Sequence, residues 1–309
     1  MTAVGHGLWG MGDWRDADDE ASLAALDRSL ELGCNFFDTA LSYGDGKSER
    51  LLARALAAHR GDADRKIFVA TKIPPKNMKW PADPADPMAD VFPADHLRRA
   101  TEQSLENLGL DAVDLQQLHV WADEWTEDET WQRAVDDLKR EGLIRGFGIS
   151  VGRLAPASVV RALRTGLVDS VQVVYNIFAQ DAEDELFPAC RELDVAVIAR
   201  VPFDEGSLTG SLRRGQTWPE GDFRNSYFPP EVLEETLDRA ALVCGELPRG
   251  QSLPDAALRF ILERPEVSTV IPGMRTVGHV ETNLAAGDGR RLDPELVERL
   301  RRHRWTRQR

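Results

Sequence analysis

The sequence is poor in cysteine: Cys34, Cys190 and Cys244 are the only three in 309 residues. They are far apart and odd in number, so they build neither a disulfide framework nor a zinc-ligand spacing. Reduced thiols suit a cytosolic protein. No His-x-x-x-His or Cys-x-x-Cys occurs, so no helix-borne metal site is expected. Long apolar runs are also lacking, and none reaches the length needed to span a bilayer. The chain does not open on a basic region followed by an apolar stretch; no signal peptide is expected, and the expected location is the cytoplasm. Positive charge is in deficit. Lys and Arg number 38 against 52 Asp and Glu, a net charge of −14, which argues against duplex nucleic acid as a partner because that needs a basic face. The Arg-rich end (Arg299, Arg301, Arg302, Arg304, Arg307, Arg309) is a local exception, read as a solvated helix and tail. Fine-scale repeats, low-complexity tracts and interdomain linkers are missing too, so residues 1–309 are expected to form a single domain.

What is present is one recurring unit: an amphipathic stretch, a glycine, then an apolar run. Leu23, Leu26 and Leu30 share a helical face before Gly33; Leu97, Leu105 and Leu108 do so before Gly109. Gly142 and Gly166 close two further units, as left-handed glycines commonly end helices. Strands are expected at Gly7 to Trp9, Asn35 to Asp38, Ile67 to Thr71, Val113 to His119, Leu143 to Ile149, Val168 to Val174, Val195 to Ala199 and Val267 to Ile271. Short runs rich in Val and Ile are typical of buried parallel strands. Eight β/α units in a chain of this length predict an α/β fold of the parallel eight-stranded (β/α)8 TIM-barrel kind; alternation alone also allows an open doubly wound sheet. Two stretches break the rhythm, at about 73–94 (rich in proline) and 203–230 (rich in Gly, Ser, Arg and aromatics). Both follow strands, so a barrel would raise them over its catalytic face.

Three motifs match well-known signatures in the wrong context. Gly5-His6-Gly7-Leu8-Trp9-Gly10 has the dinucleotide spacing, but a strand should precede it and a helix follow. Gly148-Ile149-Ser150-Val151-Gly152 has the nucleophile-elbow spacing, yet Pro156 places the next helix start several residues late, and only His279 and His303 lie downstream to complete a triad. Tyr43 and Lys47 have Tyr-x-x-x-Lys spacing, which needs a helix that Gly44 and Gly46 disfavour.

Other blocks run in a consistent order. They are Gly33-Cys34-Asn35-Phe36-Phe37-Asp38-Thr39-Ala40-Leu41-Ser42-Tyr43-Gly44, Ser48-Glu49-Arg50-Leu51-Leu52, Ala70-Thr71-Lys72, Leu115-Gln116-Gln117-Leu118-His119, Gly148-Ile149-Ser150, Gln172-Val173-Val174-Tyr175-Asn176 and Ile271-Pro272-Gly273. Together they resemble the aldo-keto reductase family over nearly the whole chain. The resemblance implies a catalytic tetrad of Asp38, Tyr43, Lys72 and His119. The residue chemistry agrees with it. Asp38, Lys72 and His119 end expected strands, and strand ends converge on a barrel's active face. Reducing a carbonyl needs a proton for its oxygen. A phenol titrates near 10, and a neighbouring ammonium makes it a better acid. Lys72 would supply that charge, Asp38 would hold Lys72, and His119 would donate to the carbonyl oxygen as negative charge grows there.

The resemblance also implies NADP(H), or alternatively NAD(H). It carries Ser150 and Gln172 to the nicotinamide amide, Asn283 to the adenine end, and Gly206-Ser207-Leu208-Thr209-Gly210 to the loop over the pyrophosphate, with Ser207, Leu208 and Gly210 as contacts. Arg275, just after Gly273, would meet a 2′-phosphate. Three positions depart from the family pattern. Val151 stands where Ser-Asn is usual, Arg200 where an aromatic commonly stacks on the nicotinamide, and His279 where a basic or amide residue is often found. A guanidinium can stack as well. Trp9 and Trp121 are expected as substrate-pocket walls among the active-face tryptophans Trp9, Trp80, Trp121, Trp125 and Trp218. The expected partner is a small carbonyl compound or sugar, with a monomer as default. Two other functions stay open: a cofactor-sensing regulatory subunit on the same fold, and a serine hydrolase using Ser150.

Overall fold

A computed structural model of the chain describes residues 1–12, 18–59 and 66–305. Among the described residues eight strands form one sheet in chain order: β1 His6–Gly7, β2 Phe36–Asp38, β3 Phe68–Ile73, β4 Val113–Leu118, β5 Ile144–Ser150, β6 Ser170–Val174, β7 Ala196–Arg200 and β8 Val267–Val270. Each pairs with the next in parallel. Parallel bridges Val4–Val270 and Gly7–Gly273 join the first strand to the last. The Gly5 N–H donates to Val270 O at 2.9 Å and the Gly7 N–H to Pro272 O at 3.0 Å. An open doubly wound sheet would leave two edges unpaired; here the circle closes, as in a TIM barrel.

The closure explains the dinucleotide-like glycines. A Cβ on Gly5 would lie 2.8 Å from Phe36 Cδ1, one on Gly7 2.9 Å from Ile271 O, and one on Gly10 2.8 Å from Arg275 Cδ. Gly5 and Gly7 let the first strand sit between its neighbours; they open a strand and follow none, and Gly10 lies in the turn after it. The expected first strand is displaced accordingly: Trp9 belongs to a 3-10 turn, Trp9–Met11.

Side chains on a strand alternate between two faces, and this period sorts the barrel. Phe37, Val69, Ile149, Val171 and Val197 are at most 2% exposed and pack in the main core, under the surrounding helices. On the opposite parity Phe36, Ala70 and Ile198 join Ile271 in a small apolar cluster of their own, with Leu115 against it. Two residues further along the same strands come Asp38, Lys72, Arg200 and Gln117. One stripe of each strand is therefore apolar at the bottom and polar at the top. Burying a Val, Leu or Ile contributes about 1.5–3 kcal/mol, so the apolar layers offset the cost of the polar one.

The helices end where the sequence implies. Asp18 caps Asp19–Glu31 by accepting from the backbone N–H of Glu20 and Ala21. Gly109 (φ 62°) follows Ala94–Leu108 and Gly142 (φ 76°) follows the helix Glu129–Arg140, a backbone that a Cβ penalises. The proline-rich stretch contains only a four-residue helix, Met88–Val91. It is tied down by Lys79–Asp86 (2.8 Å) and by the Trp125 indole N–H donating to Asp86 O (2.8 Å). The second long loop folds into a 3-10 segment, Asp204–Thr209, and a short helix, Arg224–Tyr227. At the basic end, Arg301 pairs with Glu183 (2.6 Å) and Arg304 with Asp181 (2.6 Å). That charge is spent within the molecule; Arg307 and Arg309 lie outside the described residues. Among the described residues no helix is long and apolar enough to cross a membrane.

Candidate active site

Lys72, at the upper end of β3, is fully buried. An ammonium has three donors, and all three are used. Lys72 Nζ donates to Asp38 Oδ2 at 2.6 Å, Thr39 O at 2.7 Å and Tyr43 Oη at 3.3 Å. The ammonium also lies 4.9 Å from the centre of the Tyr43 ring. Asp38 ends β2, and Tyr43 follows it in the same loop. Gly12 allows that loop to pack, since a Cβ there would fall 2.9 Å from Gly44 N. His119, one residue beyond β4, meets the Tyr43 ring edge-on at 5.6 Å, and its Nδ1 lies 3.3 Å from Ser42 Oγ. The three residues that the sequence places at strand ends and Tyr43 from the following loop are thus in one cluster.

The electrostatics set protonation states. Burial alone would drive the Lys72 ammonium down, but Asp38 and the Tyr43 phenol hold its pKa above the ordinary value. Burial pushes the Tyr43 phenol up; Lys72 opposes that shift and Asp38 adds to it. The ammonium therefore acts as the sequence suggests but is outweighed by burial, and the phenol keeps its proton at neutral pH. Burial, then the charges of Lys72 and Arg200, hold the His119 pKa well below its ordinary value, so the imidazole is neutral. A protonated phenol and a neutral imidazole side by side have the chemistry to donate to one oxygen.

A family model of the aldo/keto reductase family matches residues 3–304. The chain belongs to the aldo/keto reductase family. It is 29% identical over 303 residues to the uncharacterized oxidoreductase YqkF of Bacillus subtilis (strain 168), spanning 98% of this chain and 92% of that one. It is similar to the solved holo form of the aldo-keto reductase AKR11C1 from Bacillus halodurans, with a TM-score of 0.77 and 28% identity over 99% of this chain and 94% of that one. It is also similar to an aldo/keto reductase from Klebsiella pneumoniae in complex with NADP and acetate, with a TM-score of 0.69 and 27% identity over 99% and 93% of the two chains.

In this aldo/keto reductase the remaining site residues expected from sequence differ in burial and bonding. Ser150 is buried at the end of β5, and its register partner Gln172 is buried in the middle of β6. Gln172 Nε2 donates to Asp38 Oδ1 at 2.8 Å. Two of the departures from the family pattern are bonded to each other: Arg200 Nη2 donates to Val151 O at 2.9 Å. Arg200 Nε is buried with no partner, a donor left for an acceptor from outside the chain. Ser207 Oγ donates to Asp204 Oδ2 at 2.7 Å, and Leu208 is fully buried. Gly210 has φ 75°. Gly273 has open space where a Cβ would sit, Arg275 is exposed and Asn283 buried. His279 is exposed on the surface, its pKa lowered by partial desolvation of the ring and then by the charge of Arg275. An open glycine, an exposed cation and an orphaned guanidinium N–H have the chemistry to meet an extended anionic nucleotide.

The tryptophans divide. Trp9 is 42% exposed and packs on Phe223 at 5.3 Å. Trp121 is 5% exposed, donates its indole N–H to Ser158 O and packs edge-on with Trp125 and Trp131. That makes it part of an aromatic core cluster; its expected place as a wall stays an expectation. Trp80, from the proline-rich loop, meets His119 edge-on at 5.9 Å and is 44% exposed. Sequence reasoning put Trp80 near the active face but did not single it out, because a long loop gives no periodic signal. Asp204 was also missed: it is fully buried and accepts from Tyr227 Oη at 2.9 Å. Val201, Asp204 and Glu205 have φ of 56°, 45° and 55°, strained backbone of the sort that clusters at ligand clamps.

The hydrolase signature dissolves in the structure. Ser150 is the last residue of β5, and no helical turn begins before Pro156. His303 pairs with Glu246 at 3.0 Å, and His279 lies on the helix Val277–Ala285. Gly148 is glycine because a Cβ there would strike Ser170 Oγ and come 3.0 Å from Gln117 Cγ. Nor are Tyr43 and Lys47 a helical pair: Lys47 opens the helix Lys47–Ala58 and pairs with Asp19 at 2.9 Å.

Proposed function

We propose that the protein reduces an aldehyde or ketone, or oxidises the matching alcohol or sugar, with NADP(H), and that Tyr43 is the proton donor to the carbonyl oxygen. The observation that carries this is the Lys72 ammonium, bonded at once to Asp38 Oδ2 (2.6 Å) and Tyr43 Oη (3.3 Å) in a fully buried position. When bound, the reduced nicotinamide supplies hydride to the carbonyl carbon. Ser150 and Gln172 would hold its amide, Arg200 would lie against its ring, and the backbone of Ser207, Leu208 and Gly210 would face the pyrophosphate. Gly273 and Asn283 would sit along the adenosine, with Arg275 positioned for a 2′-phosphate, which favours NADP(H) over NAD(H). NADP in the Klebsiella relative supports the same preference.

The chain's own residues handle the proton and the charge. Tyr43 holds a proton that burial keeps in place until negative charge develops nearby. Transfer of that proton leaves a phenolate, which Lys72 stabilises through its existing hydrogen bond. His119, neutral, donates a second hydrogen bond to the same oxygen. Trp80 and Trp9 are half-exposed aromatic faces at the mouth and would wall the substrate, excluding water.

The test is consumption of NADPH and NADH against a panel of aldehydes, ketones and sugars, for wild type and Tyr43→Phe. Wild type turns over. Tyr43→Phe loses about 10²–10⁴ in kcat with cofactor affinity kept, because only the proton donor is gone. Cofactor binding without turnover of any carbonyl would move the assignment to a regulatory subunit.

A further inference from the structure

Asp38 has two carboxylate oxygens buried at the top of the barrel, and Lys72 occupies only one. The other, Oδ1, accepts from Gln172 Nε2 at 2.8 Å and, more weakly, from Gln117 Nε2 at 3.3 Å. The two amides also touch: Gln172 Nε2 lies 3.3 Å from Gln117 Oε1. Gln117 and Gln172 are 0% and 1% exposed. They reach Asp38 from β4 and β6, across the barrel interior, and Gly148 leaves the space through which Gln117 passes. The Gln172 amide can take only one orientation here. Turning it over would set Oε1 against an ionised carboxylate, acceptor against acceptor. Both of its bonds use Nε2, so neither uses Oε1.

We propose that Gln172, backed by Gln117, is a positioning residue that fixes the Asp38–Lys72 pair with its amide nitrogen and serves the nicotinamide amide with its oxygen, so that one side chain links cofactor occupancy to the acid. The cofactor half of this statement rests on the function proposed above; the Asp38 half does not. The physical reason is charge sharing. A carboxylate held on one oxygen by two amides concentrates less charge on Lys72, leaving more of the ammonium's field for Tyr43. Without Gln172, Asp38 would neutralise Lys72 more completely, and the phenol would be the weaker acid. Lys72, Asp38, Arg200 and His119 are the charged or titratable groups facing Tyr43.

Two near-isosteric variants, Gln172→Met and Gln117→Met, separate the possibilities. The sequence has three tyrosines, so the protein can be made with fluorinated tyrosine, whose phenol is more acidic. Fluorine NMR of the cofactor-free protein then follows each phenol, with Tyr43→Phe assigning the Tyr43 signal. In Gln172→Met the Tyr43 titration moves up by about one pH unit, and kcat at saturating NADPH falls about tenfold. In Gln117→Met the titration moves the same way by less, while NADPH affinity stays within about twofold of wild type. If Gln172→Met weakens NADPH binding but leaves the Tyr43 titration and saturated kcat unchanged, the residue is a cofactor contact only and the proposal falls. An unmoved titration in both variants also overturns it. Failure of the wild type to bind NADPH would instead overturn the proposed function, and the cofactor-free titration would still decide the Asp38 half.

Discussion

His6 offers a test of the fold that is independent of catalysis. It is fully buried at the start of the barrel, with Nδ1 2.8 Å from Ser29 Oγ and Nε2 2.8 Å from Met274 O. Burial lowers its pKa from 6.5 to about 4, against a smaller upward pull from the Met274 carbonyl. A histidine whose pKa is depressed on folding is protonated more readily in the unfolded chain. Its contribution is fully present above the unfolded value and is lost as pH falls through the window from 6.5 to about 4. From linkage, the loss attributable to His6 is about 2 kcal/mol at pH 5 and about 3 kcal/mol at pH 4. Carboxylates and His119 titrate in or near the same window, so the measurement is a difference. Urea unfolding of wild type and His6→Gln is followed from pH 7.5 to pH 4.5. The variant is less stable at neutral pH but falls less steeply, and the two curves converge on acidification. Parallel curves would show that the buried imidazole does not stay neutral, and the reasoning would fail.

Lys72→Met leaves Asp38 buried with no cation, and breaking such a pair costs about 3–5 kcal/mol; denaturant unfolding at pH 7 reads it, and a loss below about 1 kcal/mol would mean that the pair is solvated. Gly148→Ala puts a methyl against Gln117 Cγ and Ser170 Oγ, so it is expected to cost about 1–3 kcal/mol and to lower turnover with Ser150 intact. A serine hydrolase reading predicts a different dependence, on Ser150 itself. Tyr43→Phe and the glutamine variants complete the set.

The structure joins two sequence departures that looked unrelated. Val151 and Arg200 are 49 residues apart and share a hydrogen bond of 2.9 Å. An arginine in place of an aromatic brings a cation whose own pKa is lowered by burial, so it needs an acceptor, and the Val151 carbonyl is one. Glu205 faces the same guanidinium. Burial, then the neighbouring Asp204, raises its carboxyl to about 7. The loop after β7 thus carries a group that changes charge near neutral pH, and that group is itself one of the three strained backbone positions, with Val201 and Asp204.

The sequence by itself determined the repeating β/α units, through local rules: period-two burial along strands and glycines that end helices. Those rules allowed an open sheet as well as a barrel; the resemblance to aldo-keto reductases favoured the barrel and named Asp38, Tyr43, Lys72 and His119 as an expected group at or just beyond strand ends. Tertiary structure decided the rest, because it required knowing which distant side chains meet. Trp80 rather than Trp121 stands at His119 because the proline-rich loop folds back over the mouth, and no periodicity reports that. Asp38 meets Gln172 across 134 residues, and only closure of the circle puts β6 opposite β2. The glycines at Gly5, Gly7 and Gly148 read as cofactor or nucleophile signatures in one dimension; in three they are the places where two chains of atoms come too close for a methyl group.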